Sequence, residues 1–235
     1  MRHHELRFDD YQRLRFQGDV EYPSLPLKYV ATISGGATPN RGHRDYWEGD
    51  IPWVSPKDMK SEFIHDSLEH ITEFGMSAAS LELLPINSLL IVVRGMILAH
   101  TLPVALNCSP VTMNQDMRAI RFDDRVLPEF ALLYFQGFSS WLLTQVTESA
   151  HGTKKLDTQV IQEIPVVLFP LELQRRIVET VRAESKLLSD MDHRTRTTIE
   201  LLHERRSALI AAAVTGQITI DDNKTTKTKR IGKAV

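Results

Sequence analysis

Between Pro170 and Gly216 the chain carries neither proline nor glycine. A run that long without a breaker predicts one continuous helix, because only those two residues strongly oppose helical backbone. At about 1.5 Å per residue it extends roughly 65 Å, far beyond the mean helix of about 11–12 residues. Both ends carry the expected signals. Pro170 stands where a first helical turn tolerates proline, and Glu172 supplies a carboxylate where the helix dipole favours one. Gly216 follows Ala212-Ala213-Val214-Thr215 at the place of a C-cap. The apolar stripe advances by four and three through Ile177, Val181, Glu184, Leu188, Met191, Thr195, Thr198, Leu202, Arg205 and Leu209. Sustained heptads of this kind point to a coiled coil. The polar seam positions suit a helix whose register is specified by a partner helix. Ile177, Val181, Leu188, Met191, Leu202 and Leu209 are the expected partner-facing residues. Glu172 with Arg176, Asp190 with Arg194 and Asp192 with Arg196 stand in the favourable i,i+4 order, a solvated face worth a few tenths of a kcal/mol per pair.

Such a helix is too long for one small domain to bury, so the rest of the chain has to be read as its companion. The 235 residues are 42% hydrophobic and 25% charged, an ordinary folded composition with room for one sizeable core plus an extended element. The expected class is α+β: a mixed α/β globular domain over 25–169, the long helix over 170–216, a polar segment before (1–24) and a short tail after (217–235). Cys108 is the single cysteine. It excludes an intramolecular disulfide and a multi-cysteine zinc site, and it fits a reducing cytoplasm. There is no basic-then-apolar leader and no apolar run long enough for a bilayer, so no membrane contact is expected. Net charge is −2, so any nucleic-acid binding must use local basic patches.

Taken in order, Leu6, Asp10, Arg13 and Phe16 fit one short helix, and Pro23 and Pro26 punctuate entry to the globular domain. Leu27–Ser34 leads into the loop Gly35-Gly36-Ala37-Thr38-Pro39-Asn40-Arg41-Gly42, rich in residues that accept positive φ. It lacks the Gly-Lys-Ser/Thr ending of a phosphate loop. Arg41 and Arg44 lie beside Tyr46 and Trp47. That pairing fits a nucleic-acid contact, and a solvated loop with a half-buried Trp fits it equally. Ile51–Val54 reads as a strand with Trp53 and Val54 in the core, followed by exposed Lys57 and Lys60. Ser80–Leu84 reads as a short helix ended by Pro85, and Leu89–Val93 as a buried strand with Arg94 at a sheet edge. Asn114–Phe122 reads as a further strand. Pro128 opens a pair of helices broken near Gly137, with Phe130, Leu133, Tyr134, Phe138, Trp141 and Leu142 as core. His151-Gly152-Thr153-Lys154-Lys155 is a glycine turn carrying two lysines. Gln217–Ile220 is a short strand, and the Lys/Thr-rich tail after it is expected to be disordered.

No catalytic constellation emerges. There is no Asn/Asp-Pro-Pro-Tyr/Phe, Gly-x-Ser-x-Gly, His-Glu-x-x-His or glycine-rich cofactor fingerprint. The nine histidines lack metal-ligand spacing, and Cys108 stands beside Ser109-Pro110 with no basic residue adjacent in sequence. The chain is expected to be non-catalytic, with no metal and no cofactor of its own.

Three stretches together resemble the DNA specificity subunit of type I restriction-modification systems. They are Gly36-Ala37-Thr38-Pro39 with Ile51-Pro52-Trp53-Val54, Gly152-Thr153-Lys154-Lys155-Leu156 with Ile164-Pro165-Val166, and Pro170-Leu171-Glu172-Leu173-Gln174-Arg175-Arg176-Ile177 continuing through Glu204–Ile210 to Gly216. The resemblance implies a target recognition domain that reads half of a split double-stranded DNA site. The helix would pair antiparallel with a counterpart, set the half-site spacing and dock methyltransferase subunits. S-adenosylmethionine would belong to the methyltransferase, and ATP and Mg to a restriction partner. Family members usually hold two such domains and two helices in one chain. This sequence has one of each, so it resembles a half-subunit, and two copies about a two-fold axis would read a palindromic split site. A fragment pairing with a different half is the other arrangement considered. A half-subunit that has lost DNA reading and only occupies a methyltransferase is the competing function. The expected DNA contacts are the loop cations Arg41, Arg44, Lys57, Lys60, Arg94, His151, Lys154 and Lys155.

Overall fold

The computed structural model describes residues 22–148 and 152–217. The N-terminal helix expected around Leu6–Phe16, His151, the strand expected to reach Ile220 and the tail lie outside the described residues. Two compact units divide between Thr180 and Val181.

In the first unit the sheets follow from where apolar runs fall. The main sheet has strand order β2-β9-β6-β7-β4, built from Ala31–Gly35 (β2), Phe63–Ile64 (β4), Leu89–Val92 (β6), Val104–Asn107 (β7) and Met117–Phe122 (β9). Leu89-Leu90-Ile91-Val92 is apolar at every position and lies at the centre, where both faces are covered and all four side chains are buried. The pairings are antiparallel except β4 with β7. A smaller sheet, β5-β3-β8, joins Trp47–Val54 (β3), His70–Ile71 (β5) and Thr112–Met113 (β8). Trp53 and Val54 are buried in it, as expected. Ser24–Pro26 (β1) pairs antiparallel with Pro165–Val167 (β12). The proline-bracketed segment before the long helix is therefore a buried strand of the globular unit.

Glu73–Ala78 (α1) is capped by Thr72, whose hydroxyl accepts from the Gly75 N–H at 3.1 Å. It stands where no helix was expected, and the helix expected over Ser80–Leu84 is absent. Ser80 takes φ +51, and buried Leu84 forms a β-bridge with Val111. Leu84 serves a strand contact rather than a helix face.

Pro128–Thr144 (α2) is one uninterrupted helix, so the break expected near Gly137 does not occur. A lone glycine costs a helix only about 1 kcal/mol, and buried Phe130, Phe135, Phe138 and Leu142 hold both halves against the core. The strand expected from Asn114 begins at Met117. The Asn114 side-chain oxygen accepts from the Asp116 N–H at 3.0 Å, a local turn that keeps 114–116 out of the ladder.

The long helix, α4, spans Leu171–Val214 after the short α3 (Thr158–Gln162). Its first turns belong to the globular unit through Gln174, which is fully buried. The Gln174 Oε1 accepts from Leu127 N–H at 2.8 Å, and its Nε2 donates to the carbonyls of Arg125 at 2.7 Å and Phe169 at 2.8 Å. A buried amide is tolerable because each end has a partner. Glu172 pairs with Arg175 at 3.3 Å rather than with Arg176, while Asp192 pairs with Arg196 as expected, at 2.7 Å.

Within the second unit, Leu188, Met191, Leu202 and Leu209 are each more than half exposed. Two of the polar seam residues are less polar than their names. The Thr195 and Thr198 hydroxyls each donate at 2.8 Å to carbonyls four residues back, which satisfies the hydroxyl within its own helix. The helix ends as the sequence predicts. Gly216 takes φ +72, and the N–H groups of Gly216 and Gln217 donate to the carbonyls of Ala213 and Ala212, a Schellman motif. No described helix is long and apolar enough to cross a membrane.

Candidate nucleic-acid interface

The loop after β2 is held by backbone contact before any side chain acts. A Cβ at Gly36 would lie 2.0 Å from the Asn114 carbonyl oxygen and 2.3 Å from that of Met113, so only glycine fits there. Ala37 then donates to Met113 O at 3.1 Å and accepts from the Trp53 indole at 3.0 Å, and the Thr38 hydroxyl donates to the Gln115 side chain. The loop is thereby fastened to the turn 114–116.

Further along, Arg41 is held on three sides. Its two terminal nitrogens grip the two Glu69 oxygens, the outer pair at 3.0 Å. Its guanidinium carbon lies 3.9 Å from the Trp47 ring centre and 5.2 Å from that of Trp53. The hydrogen bond from Arg41 holds the Glu69 carboxyl below the ordinary glutamate range against the opposing effect of burial, and Lys57 adds to it.

The turn after β3 is tied by Asp58. One of its oxygens accepts from both the N–H and the hydroxyl of Ser55 at 2.8 Å, and the other from Leu68 N–H at 2.8 Å. This fixes the exposed Lys57 and Lys60. Lys57 shares an open cleft of about 410 Å³ with Thr38, Arg41, Glu69, Gln115 and Asp116. Lys60 lies with Lys57 on an adjoining groove.

The second glycine turn arrives at the same place from the other side. Thr147–Glu148 (β10) and Lys154–Lys155 (β11) form an antiparallel pair. Gly95 N–H donates to Lys154 O at 3.0 Å, Leu156 N–H donates to Val93 O at 2.9 Å, and Arg94 bridges to Lys155. Val93 and Arg94 in turn donate their N–H groups to Asp116 O at 2.8 and 3.1 Å. Arg94 therefore follows the central strand of the sheet rather than lying at its edge. The turn Asn114–Asp116 therefore holds the first glycine loop directly and the second through Val93 and Arg94.

Five of the expected cations, Arg41, Lys57, Arg94, Lys154 and Lys155, are linked through this turn and its cleft. Arg44 is not among the cleft residues. It opens a short 3-10 turn, Arg44–Tyr46, where His43 stacks on Tyr46 and Tyr46 meets Phe74 edge to face. Four of the five are balanced by acids: Arg41 by Glu69, Lys154 by Glu148 at 2.5 Å, Lys155 by Asp157 at 3.6 Å and Arg94 by Asp116 at 4.0 Å. Lys57 makes no ion pair among the described residues.

Arg118 belongs to this cluster and was missed by sequence reasoning, which saw only its alternation in a strand. Its guanidinium donates to the carbonyls of Met117 at 2.7 Å and Gln115 at 3.3 Å. Burial, with the neighbouring Arg94 charge, pushes its pKa down, and Asp116 opposes this. Arg118 thus satisfies its guanidinium on backbone carbonyls, while Asp116 pairs with Arg94 at 4.0 Å. No sequence signal distinguishes Arg118 from any exposed strand arginine, because its neighbours come together only through the turn.

Residues 20–201 match the family described as the type I restriction modification DNA specificity domain. Over 203 residues the chain is 31% identical to the Type I restriction enzyme EcoR124I/EcoR124II specificity subunit of Escherichia coli, covering 86% of this chain and 50% of that protein. The fold is similar to that of the HsdS subunit from Thermoanaerobacter tengcongensis, with a TM-score of 0.57 at 16% identity over 75% of this chain and 40% of the other. A structure concerned with complex assembly and conformational transition of the type I R-M system contains a chain similar at a TM-score of 0.63 and 18% identity, covering 88% of this chain and 50% of that one. The chain spans about half the length of the curated protein and of the larger structural match.

Proposed function

The chain belongs to the DNA specificity family of type I restriction-modification systems, and from that premise we propose that it reads one half of a split double-stranded DNA site. The observation that carries this reading is that the Gly36 loop and the Val93–Arg94 segment, on which the Lys154–Lys155 strand is docked, both fasten to the turn 114–116, where Lys57 lines a cleft with Asp116. Cations so grouped neutralise phosphates and position a domain on a duplex, while base edges supply the discrimination. In this reading the chain itself performs no chemistry. It docks methyltransferase subunits that use S-adenosylmethionine on adenine, and through them a restriction subunit that uses ATP and Mg. The exposed seam of α4 pairs antiparallel with a second copy, restoring two recognition domains, and the two-fold axis then demands a palindromic target.

The test is the methylome of the host with and without the gene, read by single-molecule sequencing. Loss of methylation at a split palindrome supports both half-site reading and the two-copy arrangement. Loss at an asymmetric split site keeps DNA reading and replaces the second copy with a different half. In the assembled complex, Lys154→Ala with Lys155→Ala weakens duplex binding and flattens its salt dependence by about two phosphate contacts. Unchanged affinity across a salt series removes that pair from the interface.

One observation favours a second reading. Four of the cations are already balanced by acids, as on a face that binds no polyanion. A half-subunit that only occupies a methyltransferase would show this, and deletion would then leave the methylome unchanged.

A further inference from the structure

The connection from β6 to β7 leaves the cation cluster and carries its own apolar tip. Gly95 takes φ +133, a conformation that an L side chain rarely adopts, and turns the chain into the 3-10 turn Met96–Ala99. Leu98 and Leu102 are buried and pin the loop from below. Met96 and Ile97 point away from that anchor and are 64% and 41% exposed. On either side stand Arg94 and His100, both exposed, and the Lys154–Lys155 strand is docked on Gly95 through its 3.0 Å hydrogen bond.

We propose that Met96 and Ile97 are base-reading residues that pack on thymine C5-methyl groups in the major groove, with Arg94 and the Lys154–Lys155 strand on the flanking phosphates. This rests on the DNA reading given above and names how part of the site is read. Charge selects the occupant. Arg94 and the Lys154–Lys155 strand flank the tip, whereas the core of a protein interface is depleted in lysine. Two side chains also fall far short of the roughly 800 Å² per partner that a stable protein contact uses. Width selects the groove. A loop with a docked strand beside it is of the kind of bulk that the major groove, about 12 Å wide, admits as a two-stranded ribbon. Apolar contact with the thymine methyl is the readout available to side chains without donors or acceptors.

The test uses the full chain assembled with its methyltransferase, on duplexes carrying the site that the complex methylates. Each thymine in turn is replaced by deoxyuridine, which removes the C5-methyl alone. At one or two positions binding weakens about fourfold, the worth of one buried methyl-sized group. Met96→Ala with Ile97→Ala abolishes that sensitivity while melting temperature and salt dependence stay those of the parent. The proposal is overturned if the parent is indifferent at every thymine, if the double variant keeps the same sensitivity, or if the folded variant instead fails to assemble with the methyltransferase. A complex that binds no duplex at all removes the DNA reading together with this inference, and that outcome is distinguishable from the other three.

Discussion

At the scale of single residues, Arg41 shows how a loop cation can be committed before any ligand arrives. Both terminal nitrogens are occupied by Glu69 and its face lies on Trp47, so we assign it to bracing the loop and leave contact to Lys57 and its neighbours. The pairing is partly exposed and contributes no more than about 1 kcal/mol, but it is visible to tryptophan. Glu69 has its pKa lowered by Arg41 from the ordinary 4.5. Its stabilising contribution is therefore present above that value and is lost as pH falls through the lowered one. Tryptophan emission should change on acidification below about pH 4.5, and Glu69→Gln should give much of that spectrum at neutral pH. An emission profile identical in parent and variant would detach the tryptophans from this pair. Gly36→Ala tests the other fixed point of the loop. A methyl 2.0 Å from a carbonyl oxygen has to displace backbone, so a loss of about 2–3 kcal/mol in urea unfolding is expected.

At the scale of elements, two helices make opposite demands. In α2, Gly137 faces open space, with nothing within 4 Å of a Cβ, so Gly137→Ala should stabilise the protein by about 0.5–1 kcal/mol. A destabilised variant would instead restore the helix break expected from sequence. In α4 the first turns depend on Gln174, which ties them to Leu127, Arg125 and Phe169. Gln174→Ala leaves one partly buried N–H and two carbonyls without the side chain that joins them. The expected cost is about 3 kcal/mol, or roughly 8 °C in melting temperature for a chain of this size, with far-UV helicity retained at low temperature.

At the scale of the whole molecule, the proposed second copy is the consequence of an apolar seam that the described residues leave exposed. Leu188→Lys with Leu202→Lys should halve the mass seen by light scattering while the globular unit melts unchanged. A parent that is already single-copy, alone and with methyltransferase bound, would sink the two-copy arrangement. The halves of the molecule were unequally legible in advance. The long helix, both its ends, the buried run Leu89–Val92 and the core places of Trp53 and Val54 were readable, as was the basic character of the loops. The strand pairing of Pro165–Val167 with Ser24–Pro26 and the bridge that claims Leu84 were not, because each depends on a partner far along the chain.

That contrast has one physical cause. The helix from Leu171 to Val214 and its Schellman end depend on backbone bonds spanning about four residues, so composition along the chain was enough to specify them. Glu69 reaches Arg41 across 28 residues, and Arg94 comes between the Lys154–Lys155 strand and the turn Asn114–Asp116 only because segments far apart in the chain hydrogen-bond there. Sequence alone determined which cations existed and which helix was available for a partner. Tertiary closure decided which cations are braced, which are paired with an acid and which stand exposed on the proposed DNA face.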